Sequence, residues 1–270
     1  MSISILGGEF TKTTFPGGET CIRVIEPGEG DDNFVTLELK FESNNDLFDL
    51  ALLVDALRRA VPGIGIKLFM PYVPYARQDR VCNPGESLSI KVVADYINGI
   101  GFYQVGIVDP HSDVTTALFN NVKVYPQESF ALSMTLHTNR RNTIIVAPDA
   151  GASKKAAKFA TAGGFSGMIQ ASKERDLLTG KIVETTVPDI LVGDMNFLIV
   201  DDICDGGRTF IELAKKLRPL TTGEISLFVT HGIFSAGTEV FDNLIDAVYT
   251  ANPVGAKGEA AVASGKVIRI

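Results

Sequence analysis

The sequence predicts an α/β protein with mainly parallel sheets flanked by helices. Three observations carry this prediction. Short runs rich in Ile, Val, Leu and Phe end in polar or glycine-rich turns, as strands buried on both faces do. Segments with helical spacing lie between those runs, and alternation of the two points to a parallel sheet. The strand–turn–helix order also occurs twice, in residues 66–119 and again in 143–217.

Taken in order, the apolar runs are ISIL (3–6), KLFMPYV (67–73), VGIVD (105–109), TIIVAPD (143–149), FLIVDD (197–202) and ISLFVTH (225–231). Asn45–Ala60 reads as a helix with an Asn/Asp start and with Arg58 and Arg59 in its last turn, where cations suit the dipole. Ser89–Ile97, Ser153–Ala162 and Thr209–Leu217 read as further helices, the last ending before Pro219. The polar stretch Asn120–Ser129 is the expected boundary, giving domains at 1–127 and 128–270. The tail from Ala251 is rich in Gly and Ala and ends in KVIRI, read as a last edge strand.

Composition narrows the class. The chain has 270 residues, 45% of them hydrophobic, which is ample for two buried cores. No apolar stretch has the length of a membrane span, and the start MSISILGGEF lacks the pattern of a signal peptide, so a cytoplasmic protein is expected. Cys21, Cys82 and Cys204 have no zinc or C-x-x-C spacing and read as reduced thiols. With 25 basic and 32 acidic residues the formal charge is −7, which argues against a nucleic-acid partner. A small anionic substrate remains compatible, because a local basic cluster decides that.

The strongest local signal is FLIVDDICDGGRTFIELAKKL (197–217). A buried strand runs into two carboxylates, then a short glycine-rich loop, then a helix. Backbone N–H groups at a helix start are unsatisfied and, with the dipole, favour an anion such as phosphate. Gly206 and Gly207 let the backbone come close, Thr209 offers a hydroxyl, and Asp201 and Asp202 sit at the carboxyl end of the strand, where open α/β sheets bind ligands. The same residues also fit a helix without a ligand, capped by Asp205.

Four other segments carry chemistry. MPYVPYARQDR (70–80) places Arg77, Gln78, Asp79 and Arg80 together, suited to phosphate and a base edge or, equally, to a solvated loop. VDPH (108–111) puts Asp109 and His111 at a strand end. His231 also ends an apolar run, whereas His137 lies in a polar stretch. APDAGASKK (147–155) is a second strand end opening through glycine into a helix, with Asp149 at the turn. SKERD (172–176) alternates Lys173 and Arg175 with Glu174, a solvated loop by default.

Together these segments resemble the ribose-phosphate diphosphokinase family. FPGGETCIRV (15–24), VDALRRA (54–60), PYVPYARQDR (71–80), VDPH, APDAG, SKER, VDDICDGGRT (200–209) and THGIFS (230–235) stand in the family's order with similar spacing. The resemblance implies two phosphoribosyltransferase-like domains with the active site at their junction. It implies transfer of the β,γ-diphosphate of ATP to the C1 hydroxyl of ribose 5-phosphate, with Mg²⁺, in a homo-oligomer. Phe15 matches an aromatic that stacks on adenine and is supplied by a neighbouring subunit, with Glu19 nearby; Arg77, Gln78 and Arg80 match the ATP-binding segment. His111 and Asp149 match magnesium-linked positions, and Lys173 and Arg175 the two cations of a flexible catalytic loop. Asp201, Asp202, Asp205, Gly206, Gly207, Arg208 and Thr209 fall in the ribose-phosphate loop.

The chain departs from the family pattern. The loop that normally reads Asp-Thr-x-Gly-Thr is Asp205-Gly206-Gly207-Arg208-Thr209 here, trading a threonine for glycine and a glycine for a long cation. Ile5 lies only ten residues before Phe15, leaving no room for the family's first helix, and the family's final helix is not seen. Gly17 and Ala152 replace an Asp/Asn and a glycine. An altered acceptor is therefore a second expectation: a 5-substituted ribose phosphate such as ADP-ribose, with Arg208 pairing the second phosphate. A phosphoribosyltransferase and an inactive regulatory homologue are the competing classes.

Overall fold

The computed structural model describes residues 2–28, 33–175, 182–188 and 193–270; the side chains of 173–175 and 182–184 lie outside this set. Contacts divide the chain into two compact units, one ending at Tyr125 and the other beginning at Pro126.

The first unit holds β1 (Ile3–Ile5), β2 (Glu9–Thr14), β3 (Thr20–Glu26), β4 (Phe34–Leu39), α1 (Asn45–Ala60), β5 (Gly65–Met70), α2 (Ser89–Ile100), β6 (Gln104–Val108), α3 (Asp113–Leu118) and β7 (Val122–Tyr125). Its main sheet has the order β1-β4-β5-β6-β7, with only β1 antiparallel to its neighbour. β2 and β3 form a separate antiparallel ribbon. Leu50, Leu53, Val54 and Leu57 recur at helical spacing along α1 and are buried with Leu37, Leu39, Leu68 and Met70 of the sheet. Each such side chain contributes about 1.5–3 kcal/mol by leaving water. Arg58, in the last turn of α1, donates to the carbonyls of Ile100 and Gly101 and so closes the carboxyl end of α2.

The second unit holds α4 (Ala131–Met134), β8 (Thr143–Ala147), α5 (Ala150–Gly163), β9 (Gly167–Gln170), β10 (Ser172–Arg175), β11 (Ile182–Thr186), β12 (Asn196–Cys204), α6 (Arg208–Leu217), β13 (Ile225–Gly232), β14 (Ala247–Pro253), α7 (Gly255–Ala263) and β15 (Ile268–Arg269). Six strands form a parallel sheet in the order β15-β14-β13-β12-β8-β9. Alternate residues of β12 serve opposite faces. Phe197 and Ile199 pack with Phe210, Leu213 and Leu217 of α6, whereas Leu198 and Val200 pack with Ala156 and Phe159 of α5.

The predicted strands and helices are present, with ends shifted by a few residues, and KVIRI does contain an edge strand, β15. Others went unread. β4 alternates threonine and glutamate with its apolar residues, and β7 falls inside the stretch taken as a boundary. SKER is the strand β10, paired antiparallel with β11, and not a loop. α7 is rich in glycine, but Gly258 is there for packing: a Cβ would stand 2.3 Å from the carbonyl oxygen of Gly232. Tertiary contact overrides weak propensity in that helix.

Candidate active site

In a parallel sheet every strand points its carboxyl end to one edge, and in the second unit that edge gathers the polar turns. The turns after β8, β9, β12 and β13 leave it, on four neighbouring strands. The Ala171 N–H donates to the Ala147 carbonyl at 2.8 Å, so the chain enters β10 beside the turn that carries Asp149. Segments 147–151, 171–175 and 201–209 therefore start from one edge of one sheet. The backbone of Lys173 and Arg175 belongs to β10; their side chains lie outside the described residues.

The turn between β12 and α6 is held from outside. Ser235 donates its hydroxyl to Asp205 Oδ1 at 2.5 Å and its backbone N–H to the Asp205 carbonyl at 3.1 Å, while Ile233 N–H donates to the Cys204 carbonyl. Asp202 is buried and Asp201 half-buried, with Asp201 Oδ1 accepting the Asp202 N–H. Burial, reinforced by the carboxylates of Asp201 and Asp205, raises the Cys204 thiol well above the ordinary range and keeps it a neutral packing group.

Asp205 does not cap α6. The N-cap is Gly207, at φ +76°, a residue with no side chain to accept from the helix start. Gly207 is required twice over: its backbone is left-handed, and a Cβ would meet the Phe241 ring at 2.6 Å. Its missing side chain thus faces the core and not a ligand, while Gly206 is exposed and leaves its own backbone approachable. Arg208 is the first helical residue, exposed, and without an ion pair among the described residues.

The turn between β8 and α5 is built differently. Asp149 is the N-cap, and its Oδ1 accepts the Ala152 N–H at 3.1 Å. One first-turn donor is thus satisfied from within, and a negative group stands at the turn.

In the first unit the equivalent edge carries the other predicted residues. Val108 N–H donates to the Pro71 carbonyl at 3.3 Å, which sets VDPH beside the segment 71–80. Arg77, Gln78, Arg80 and His111 are exposed there. Tyr75 adopts φ +63° and hydrogen-bonds Asn44, and its carbonyl accepts the Gln78 N–H, which turns the chain sharply before Arg77. Phe15 and Glu19 close the β2–β3 ribbon: Phe15 N–H donates to the Glu19 carbonyl at 2.8 Å, and the Phe15 ring is 52% exposed at the tip.

Residues 2–101 match the N-terminal domain of ribose phosphate pyrophosphokinase. The ribose-phosphate pyrophosphokinase of Thermococcus kodakarensis is 31% identical over 242 residues, covering 89% of this chain and 84% of that protein. The chain belongs to the ribose-phosphate pyrophosphokinase family. The Pyrococcus abyssi enzyme of the same name is 32% identical over 226 residues, 83% of this chain and 76% of its own length. The crystal structure of phosphoribosylpyrophosphate synthetase from Mycobacterium smegmatis covers 90% of this chain and 80% of its own, with a TM-score of 0.74; at 24% identity it bears on the fold alone.

The structure adds to what the sequence showed of two residues and brings in a third, Gln127, that the sequence reading missed. Asp109, read at the end of its strand, is buried with φ 37°, an uncommon backbone for a non-glycine residue, directly before the His111 turn. Gln127 is buried and donates to the Asp201 carbonyl at 2.7 Å, supporting the end of β12 from a distant segment. His231 is no surface histidine: it is buried, with Nδ1 3.1 Å from the Asn252 amide. Gln127 gave no signal in the sequence, since only the fold sets it against β12.

Proposed function

We propose that this protein transfers the β,γ-diphosphate of ATP to the C1 hydroxyl of ribose 5-phosphate, releasing AMP and 5-phosphoribosyl 1-diphosphate. The observation that carries the proposal is the β12–α6 turn in a chain of this family. Two aspartates stand at the strand end, followed by a helix start with no side-chain cap and an open backbone at Gly206. Such a helix start accepts a phosphate through its free N–H groups, and Thr209 adds a hydroxyl. Asp201 and Asp202 accept hydrogen bonds from the sugar hydroxyls and fix the anomeric oxygen.

The C1 oxygen attacks the β-phosphorus, the bond from that phosphorus to the α,β-bridging oxygen breaks, AMP leaves with the electron pair, and the C1 hydroxyl proton goes to solvent. In a loose transition state the charge spreads over the phosphoryl oxygens, so positioning and nearby cations dominate. Lys173 and Arg175 supply these cations. Arg77 and Arg80 bind the ATP phosphates, Gln78 contacts the base, and Phe15, with Glu19 beside it, stacks on the adenine bound to a second copy of the chain.

The donor set fits Mg²⁺ carried by the nucleotide. No group of three or more His, Cys, Asp or Glu among the described residues could enclose a metal by itself. Magnesium in phosphoryl-transfer sites uses one or two side chains and completes its shell with water and phosphate oxygens. His111 in the first unit and Asp149 in the second are each proposed as magnesium-linked residues, and the ion, when bound, would offset the negative charge of the triphosphate. No described helix is long and apolar enough to cross a membrane.

Arg208 favours a second reading of the acceptor. A cation at the first helical position opposes the helix dipole and is unfavourable there unless an anion joins it. An acceptor with a further phosphate on the 5-phosphate, such as ADP-ribose, supplies that anion.

One experiment tests both. Purified protein is incubated with ATP, Mg²⁺ and either ribose 5-phosphate or ADP-ribose, and the products are identified by mass. AMP with a diphosphorylated sugar establishes the reaction class, and AMP from neither acceptor rejects it. If Arg208→Gly leaves the ratio of the two rates unchanged, Arg208 does not select the acceptor.

A further inference from the structure

Lys12, together with Asp49, is assigned here the task of positioning Phe15, a role that rests on Phe15 being the adenine platform. The β2–β3 ribbon is an exposed structure: of the β2 side chains only Phe10 is buried, and β3 contributes only the half-buried Thr20, Ile22 and Val24. Beyond Phe10 one polar side-chain tie leads from the ribbon to the body of the unit among the described residues. It is the ion pair from Lys12 to Asp49 Oδ2, where Asp49 lies buried on α1.

The placement of this pair is what gives it a function. Lys12 is midway between the buried root at Phe10 and the tip at Phe15, and it pairs across the ribbon with Ile22. Ile22 packs against the core of the unit at the same level, so the pair adds a polar, directional fixing point at the last anchored position of the ribbon, roughly 10 Å from the tip at about 3.3 Å per strand residue. Stacking on a flat base tolerates little tilt, since its energy depends on ring offset and spacing. A buried carboxylate facing a half-exposed lysine is also a poor way to gain stability alone, because desolvation cancels most of the attraction. We infer that the pair is kept for geometry: it holds the aromatic tip of an otherwise exposed ribbon at a fixed place.

The test compares Lys12→Met, Lys12→Arg, Asp49→Asn and Phe15→Ala in the full chain. Lys12→Met raises the KM for ATP about tenfold, with kcat within about twofold and the KM for the sugar unchanged, and Lys12→Arg restores it. Asp49→Asn removes the buried charge instead of stranding it, so it keeps the fold if Lys12→Met does not, and it gives the same change in KM. The chain has no tryptophan, so Phe15→Trp reports the tip directly: its fluorescence anisotropy falls when Lys12→Met is added. If Phe15→Ala leaves the KM for ATP unaltered, the platform reading itself is wrong. If Phe15→Ala raises it while folded Lys12→Met and Asp49→Asn behave as wild type, the positioning role is overturned. A loss in kcat and in both KM values from the tie variants, unrelieved by Lys12→Arg, also overturns it, because that is the mark of general destabilisation.

Discussion

The second unit contains two strand–turn–helix junctions on neighbouring strands of one sheet, and they are opposites. Between β8 and α5 the helix is capped by its own carboxylate, Asp149, which accepts the Ala152 N–H. Between β12 and α6 the cap is a glycine with a left-handed backbone, which has no side chain to accept from the helix start. The first turn has spent part of its N–H capacity and presents negative charge, which suits a cation. The second keeps its donors for an incoming anion. The same local architecture thus yields two polarities, and the difference lies in which residue stands at the cap. The open junction needs outside support because its helix start does not fasten it. That support comes from Ser235 on Asp205 and from the Phe241 ring against Gly207.

The contrast can be broken most forcefully at the open junction. On the proposed role of Asp201, its replacement by Ala lowers kcat/KM for the acceptor about 10²-fold, read in steady-state kinetics, with ATP binding preserved. Equal loss for both substrates would show that the junction does not belong to the acceptor.

Next comes Gly207→Ala, which forces a left-handed Cβ into the Phe241 ring. It costs about 2–4 kcal/mol in denaturant unfolding and displaces the helix start. Wild-type stability in that variant would mean the glycine is not needed for backbone and packing.

The closed junction separates into cap and charge. Asp149→Asn retains an acceptor for the Ala152 N–H, so stability stays within about 0.5 kcal/mol while the Mg²⁺ dependence of the rate shifts to higher concentration. Asp149→Ala loses both, with about 1 kcal/mol of stability gone. Identical behaviour of the two variants would refute the distinction.

The smallest effect concerns Cys204, buried within the open junction, whereas Cys21 and Cys82 are exposed. A raised thiol pKa means that the folded state holds the proton more tightly than the unfolded state. Stability from this group is therefore present below the ordinary thiol range and falls as pH rises through it. In a thiol titration two cysteines react in the folded protein, and the third reacts on unfolding. Ribose 5-phosphate slows any residual reaction of Cys204, and rapid labelling of all three would show that the junction is not held as described.

The sequence by itself determined a good deal. Runs buried on both faces of a sheet read as unbroken Ile, Val and Leu, so β5, β6, β8, β12 and β13 were legible, as was α1 with its helical spacing. The turn residues at 149 and 201–209 were legible too, because carboxylates and glycines after an apolar strand mark a turn, although the packing reason for Gly207 was not. Tertiary structure alone decided the rest. β7 and α7 exist because of what they pack against, and their own residues carry little periodicity. Asp205 could be a helix cap from sequence; it became a partner of Ser235 because β13 runs beside β12. Lys12 and Asp49, thirty-seven positions apart, meet only once the ribbon lies against α1. Local patterns fix which residues are buried and where turns fall, whereas partners distant along the chain are chosen by the sheet order that the sequence does not spell out.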